Sequence, residues 1–337
     1  MIIINSIHKN KEVDKVKKFL ALIGIVVAMM VIAACGADKT EDTENKGAKE
    51  EPQAETKTLT IKHELGETEV NQNPEKVVVF DFGSLDTLDK LGIEVAAIPQ
   101  NNVPKYLEKY EDEKYANVGS LKEPDFEKIN EIKPDLIIIS GRQSDMYKEF
   151  TEIAPTIFLG VDTERYMESF EENVKTIGEI FNKEKEAEEQ LTAINKDIEK
   201  LHGEASGLDE KALIVLANEG KVSAYGPSSR FGIIHDVFGF APADPGIEVS
   251  THGQSVSFEY ILEQDPDFLF VIDRGAVVAS GDGQSAAKDV IENDLVKGTK
   301  AYKNGKIVYL DPDFWYLSGG GLESVSEMVK EVEGSLK

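Results

Sequence analysis

Residues 257–274, SFEYILEQDPDFLFVIDR, decide the fold because they repeat residues 125–142, DFEKINEIKPDLIIISGR, at a constant offset of 132 with no gap. Identical positions are Phe126/Phe258, Glu127/Glu259, Ile129/Ile261, Glu131/Glu263, Pro134/Pro266, Asp135/Asp267 and Arg142/Arg274. Each copy reads as a short helix, a Pro-Asp turn and an apolar run of strand length, the pattern of a buried strand in an α/β sheet. A single internal pair is too few for a solenoid or propeller, which needs several copies at a period of about 20–50 residues. The two copies therefore predict two lobes that present matched residues at matched places.

Working outward, residues 58–70 alternate apolar and polar side chains and predict an antiparallel hairpin. Residues 76–80 (KVVVF) are a buried run leading through Asp81, Phe82 and Gly83 to Ser84, the expected N-cap of a helix over 85–91. Further strands fit 95–98, 137–140 and 156–159, and helices fit 104–110, 126–132 and 144–153. This alternation predicts a mostly parallel sheet covered by helices. From 163 to 203 the chain turns charged and helix-forming, with Tyr166, Phe170, Val174, Ile177 and Phe181 on one apolar face. Asn182 and Lys183 interrupt it, leaving a helix that can join the lobes. Residues 212–217 (ALIVLA) restart the pattern, followed by a hairpin into 221–225. Helices are then expected at 231–238, 258–264, 288–295 and 322–336, and strands at 268–272 and 307–310. The fold class is α/β: two Rossmann-like lobes joined by one long helix, with a first lobe at 58–162, the linking helix at 163–182 and a second lobe at 183–337.

The 337 residues carry a formal charge of −26. Residues 1–34 hold five Lys against two acids, which leaves −29 for the rest. So acidic a surface excludes nucleic acid and anionic lipid as partners. The single cysteine, Cys35, excludes a disulfide framework. It follows a basic segment at 16–18 and fourteen apolar or small residues at 19–32, too short for a span of about 20, so residues 1–34 read as a signal peptide. The small residues before Cys35 resemble the bacterial lipoprotein signal, in which the Cys is diacylated. The first fifteen residues suggest that translation starts at Val16. Residues 35–57, rich in Glu, Lys, Thr, Asn and Gln, form a disordered tether.

Enzymatic constellations are thin. No Gly-x-Ser-x-Gly occurs, and Ser255, His252 and Asp273 share no catalytic context. The loop at 281–286 (GDGQSA) matches the loose dinucleotide pattern but lies beyond its strand and lacks the distal acid. The glycines at 319–321 have no phosphate-loop Lys. The His residues show no metal-ligand spacing. Arginine is more informative: only Arg142, Arg165, Arg230 and Arg274 occur among 37 basic residues. Two end the duplicated strands, where α/β sheets bind ligands, and Arg230 follows the 221–225 hairpin. Planar, always-charged donors at these points imply a multiply anionic ligand.

The lipoprotein leader, the repeated block and the runs VVVFDFGSLDTLDKLG, VGSLKEPDF, PDLIIISGRQS, THGQSVS, DFLFVIDRG and WYLSGGGLES resemble the ferric-siderophore-binding lipoproteins of ABC importers, the class III substrate-binding fold, and within it the petrobactin (catecholate) receptors of Gram-positive bacilli. The resemblance implies a non-enzymatic, monomeric receptor on the outer face of the cell membrane, held by the lipid at Cys35. Its ligand would be an anionic ferric siderophore that holds the iron itself, with no cofactor and no protein metal ligand. It implies that Arg142, Arg230 and Arg274 line the cleft, with Tyr225, Trp315 and Tyr316 in or beside it. It also implies that Glu127 and Glu259 dock on the permease dimer, which works with a cytoplasmic ATPase. Rival readings are a haem or cobalamin receptor of the same fold and an enzyme acting on an anionic substrate.

Overall fold

A computed structural model of the chain describes residues 57–278 and 287–337. The signal peptide, Cys35, the tether up to residue 56 and the 281–286 loop lie outside the described residues. Strands β1 (Thr58–His63) and β2 (Gly66–Asn71) pair as the expected antiparallel hairpin. Next come β3 (Val77–Val79), β4 (Ala97–Ile98), β5 (Ala116–Asn117), β6 (Leu136–Ile139) and β7 (Thr156–Phe158), which form an all-parallel sheet in the order β5-β4-β3-β6-β7. Its central strands are buried on both faces, which is why their sequences read as unbroken apolar runs.

The helical stretch divides in two. Tyr166–Ile180 buries Tyr166, Phe170, Val174 and Ile177, the face that the periodicity marked. Asn182 breaks the run with a left-handed φ of 52°. A longer helix, Glu184–Ala205, of 22 residues and about 33 Å, then leads into the second sheet. The helix expected at 163–182 is thus the first of two helices between the sheets.

The second sheet contains β8 (Lys211–Asn218), β9 (Lys221–Tyr225), β10 (Ala241–Pro242), β11 (Gln254–Val256), β12 (Phe268–Asp273) and β13 (Ile307–Leu310). Its order is β11-β9-β8-β12-β13, with β10 beside β8. Strands β8, β12 and β13 are parallel, whereas β9 pairs antiparallel with both β8 and β11. The β8–β9 turn places Glu219 and Gly220 at positive φ, as a two-residue hairpin requires.

The duplicated block is equivalent in detail. Asp125 and Ser257 cap their helices by accepting from the Lys128 and Tyr260 N–H groups. Both helices end in a left-handed residue, Lys133 and Asp265. Ile129 and Ile261 are fully buried. The repeated aspartates tie each block to the neighbouring strand: Asp135 accepts from Lys76 N–H at 2.9 Å ahead of β3, and Asp267 from Lys211 N–H at 3.0 Å at the start of β8. Since each helix runs back against the strand that follows it, its first turn returns to the strand's carboxyl end. Glu127 and Arg142, far apart in the block, thereby share one edge, as do Glu259 and Arg274.

The C-terminal helix, Leu322–Gly334, follows the second sheet in sequence but docks on Phe82–Lys90, a helix of the first half. Its first N–H groups are capped from there. Thr87 Oγ1 accepts from Leu322 N–H (3.3 Å), and the two oxygens of Asp86 accept from Glu323 and Ser324 N–H (2.7 Å each). Gly321 leaves room for this, since a Cβ there would run into the Asp86 carboxyl. Lys90 adds an ion pair to Glu323. One apolar cluster runs continuously through both halves, from Leu59 and Val77 to Trp315 and Val332.

Candidate functional site

A cleft of about 660 Å³ opens between the two sheets. Its first-half wall holds Asp81, Ser140, Arg142 and Tyr166; the second half contributes Ser229, Arg230 and the 249–251 segment; Tyr316 and Ser318 form the floor. The first-half residues Asp81, Ser140 and Arg142 follow the carboxyl ends of β3 and β6, where open α/β sheets place their ligands, while Ser229 and Arg230 follow the antiparallel β9.

Three of the four arginines converge on Tyr316. Arg142 Nη2 and Arg230 Nη2 both donate to its carbonyl, at 2.9 and 2.5 Å. Arg274 Nε donates to its hydroxyl at 2.8 Å, and the Arg230 guanidinium lies 4.2 Å from its ring centre. Asn218 Oδ1 accepts a further bond from Arg274 at 2.8 Å. The backbone explains why that carbonyl is available. Asp313–Ser318 forms a π-helical turn closed by Gly319 N–H donating to the Phe314 carbonyl, and Gly319 and Gly320 leave the helix at positive φ. The last carbonyls of a helical segment have no internal partner, and cations suit that end.

Among the described residues, Arg142, Arg230 and Arg274 have no carboxylate within salt-bridge distance, whereas Arg165 pairs with Asp162 and Glu168 on the surface. A carbonyl fixes a guanidinium without cancelling its charge. Burial, and then repulsion from Arg142, pulls Arg230 below the usual arginine range. Burial pushes the Tyr316 phenol up, but the bond from Arg274 and the charge of Arg230 outweigh it and leave the group below its ordinary value. The cleft therefore concentrates positive potential that an anion would relieve.

Local packing holds each arginine. The Arg142 turn is pinned by Gln143, fully buried, which accepts from Ser140 N–H at 3.2 Å and donates to the Leu121 carbonyl at 2.6 Å. Arg230 follows a tight turn in which Ser229 Oγ donates to the Gly226 carbonyl and Ser228 N–H to Asp236. Arg142 and Arg230 line the cleft, whereas Arg274, expected there too, lines a smaller neighbouring pocket with Asn218 and Asp273 and reaches the cleft only through the Tyr316 hydroxyl. The remaining sequence candidates sit differently. Trp315 borders the cleft but is only 2 % exposed, and its indole N–H donates to Glu331 at 2.6 Å. Tyr225 is buried against Phe231, with ring centres 4.7 Å apart, behind the cleft wall. Glu127 and Glu259 are exposed in the first turns of their helices and have no ion-pair partner among the described residues.

Sequence reasoning missed two cleft residues. Asp81, not Ser84, is the N-cap: the helix starts at Phe82, and Ser84 donates to Asp81 through both its N–H (2.8 Å) and its hydroxyl (2.9 Å). Tyr166 was legible only as part of an apolar face. Its hydroxyl is buried with no partner among the described residues, and burial raises its proton affinity.

The periplasmic binding protein family model matches residues 77–314, a span containing both sheets and Arg142, Arg230 and Arg274. The chain belongs to the periplasmic binding protein family. Among members of this family, the petrobactin-binding protein YclQ of Bacillus subtilis is 54% identical over 325 residues, covering 95% of this chain and 99% of YclQ. The crystal structure of YclQ superposes with a TM-score of 0.81 over 83% of this chain and 99% of that one. The ferric-anguibactin-binding protein FatB of Vibrio anguillarum is 33% identical, covering 81% of this chain and 86% of FatB. The periplasmic catecholate-siderophore binding protein VctP of Vibrio cholerae is 38% identical, with a TM-score of 0.79 over 82% of this chain and all of that one. All three are named as binding proteins. The periplasmic binding protein fold, two α/β lobes flanking a cleft, is the architecture described above.

Proposed function

We propose that the chain is an extracytoplasmic receptor that binds an anionic ferric siderophore of the catecholate type, petrobactin among them, and delivers it to an ABC permease. The observation that carries this reading is the convergence of three guanidinium groups on Tyr316 with no carboxylate partner among the described residues. Catecholate oxygens around Fe³⁺ carry the negative charge such a site complements, and guanidinium donors bind oxyanions with strong, directed bonds. A neutral ferric hydroxamate offers no charge to match. The names of YclQ and VctP support the ligand class.

In this reading the siderophore holds the iron, Arg142, Arg230 and Arg274 contact the chelate oxygens, and Tyr316 shields a ring. Tyr225 and Trp315 back the wall and act through packing. The lobes run over 58–162 and 183–337, and the lipid on Cys35 anchors the protein through the tether as a monomer. Glu127 and Glu259, exposed on the cleft edge of each half, present two equivalent carboxylates to a two-fold symmetric permease. Titrating the purified protein with ferric petrobactin, a ferric hydroxamate and haem tests the proposal. Saturable quenching of Trp315 and Tyr emission by the catecholate alone supports it; haem binding with a Soret band, or no response to any catecholate, rejects it.

A further inference from the structure

We infer that Asp81 forms an acidic subsite on the first-half wall of the cleft, which takes a protonated amine carried on the arm of the otherwise anionic ligand. The inference rests on the receptor reading above and adds a requirement to it.

Asp81 is only 9 % exposed, yet its side chain lines the cleft. Both bonds it accepts, from Ser84 N–H and Ser84 Oγ, fall on Oδ2. Oδ1 accepts from no group among the described residues. No side-chain cation pairs with it among the described residues: Arg142, on the same wall, is held by the Tyr316 carbonyl. Capping does not require this arrangement. Asn or Ser caps a helix about as well as Asp and buries no charge. Oδ1 therefore remains open to a cation or donor that enters the cleft.

The neighbours narrow what can arrive. Ser140 lines the same wall, and its hydroxyl makes no bond among the described residues, so it can accept a second N–H from the same group. A purely anionic chelate would be drawn by the three arginines and repelled by Asp81. A chelate whose linker carries an ammonium group matches both charges at once, with N–H donors for Asp81 Oδ1 and Ser140 Oγ. Asp81 then selects among ferric catecholates by the charge of the linker, while the arginines select for the metal centre.

The test uses two synthetic ferric catecholates with the same donor set, one with a secondary amine in the linker and the other with a methylene at that position. Titration by intrinsic fluorescence should show the wild-type protein binding the amine chelate about tenfold more tightly, the scale of one charge-assisted bond. Asp81→Asn and Asp81→Ser, which both retain a capping side chain, should bring the two affinities to within about twofold of each other. A preference that persists in both variants overturns the subsite. If neither variant folds, the wild-type ratio decides alone, and equal affinities overturn the inference while leaving the receptor reading in place. Wild-type protein that binds neither chelate would remove the receptor reading and the subsite together.

Discussion

Asp86→Asn isolates the contribution of a buried carboxyl at the joint between Phe82–Lys90 and the C-terminal helix. Two effects oppose each other there. Loss of water raises the proton affinity of Asp86, while the Glu323 and Ser324 N–H groups and the helix end lower it. Burial wins, and the carboxyl titrates at about 6 against an ordinary value of 3.8. The folded chain therefore holds this proton more tightly than the unfolded chain does. The stability this adds is complete below the unfolded value of 3.8 and is lost as the pH rises through about 6. Two pKa units correspond to roughly 3 kcal/mol. Asn cannot ionise, so the cost of the substitution should be greatest below about pH 3 and smaller by about 3 kcal/mol near pH 7. Urea unfolding followed by the emission of Trp315, the only tryptophan, measures both proteins across that range. Carboxylates elsewhere titrate alike in the two and cancel in the difference. A cost that grows with pH would refute the reasoning, because it would mean that the helix end outweighs burial.

Two further outcomes follow from the same geometry. Gly321→Ala drives a Cβ into the Asp86 carboxyl and the Gly83 carbonyl, so the thermal midpoint should fall by an amount equivalent to about 1–3 kcal/mol; an unchanged midpoint would show that the joint is slack. Glu127→Ala combined with Glu259→Ala removes two exposed carboxylates that make no hydrogen bond or ion pair with Tyr316 or its arginines among the described residues. Ligand affinity should persist while iron import by cells is lost, and normal import would sink the docking role.

How far the sequence revealed this molecule depends on what kind of signal each feature leaves. The two sheets were legible because a buried parallel strand must be apolar on both faces, and residues 76–80, 137–140 and 212–217 are apolar runs of strand length bounded by turn residues. Arg142 and Arg274 were legible because duplication placed one rare residue type twice at the end of such a strand. The role of Tyr316 was only half visible. Its ring can be guessed from the residue type, but its carbonyl, the acceptor for Arg142 and Arg230, is a backbone group that every residue carries, and a π-helical turn exposes it. Asp81 was hidden by Ser84 three residues later, an equally good cap on composition alone, and only the dihedral angles show where the helix begins. Trp315 borders the cleft as expected, but its side chain is turned away. Its position beside Tyr316 suggested the cleft, but successive residues on a helical turn face different ways, and its indole points to Glu331. The capping of the C-terminal helix by Asp86 joins residues more than 230 apart in the chain, a distance at which no local pattern survives.

Arg230 lies outside the duplicated block and has no arginine counterpart in the first lobe, and it touches both the carbonyl and the ring of Tyr316. Titration of Arg230→Ala with a ferric catecholate, read by Trp315 and Tyr quenching beside the wild-type protein, therefore tests the anion-binding cleft most directly. An arginine contact to an anion is worth about 1.5–3 kcal/mol, so the dissociation constant should rise by roughly tenfold to a hundredfold with the unfolding midpoint little changed. A folded Arg230→Ala protein that binds the chelate as tightly as the wild type would contradict the account.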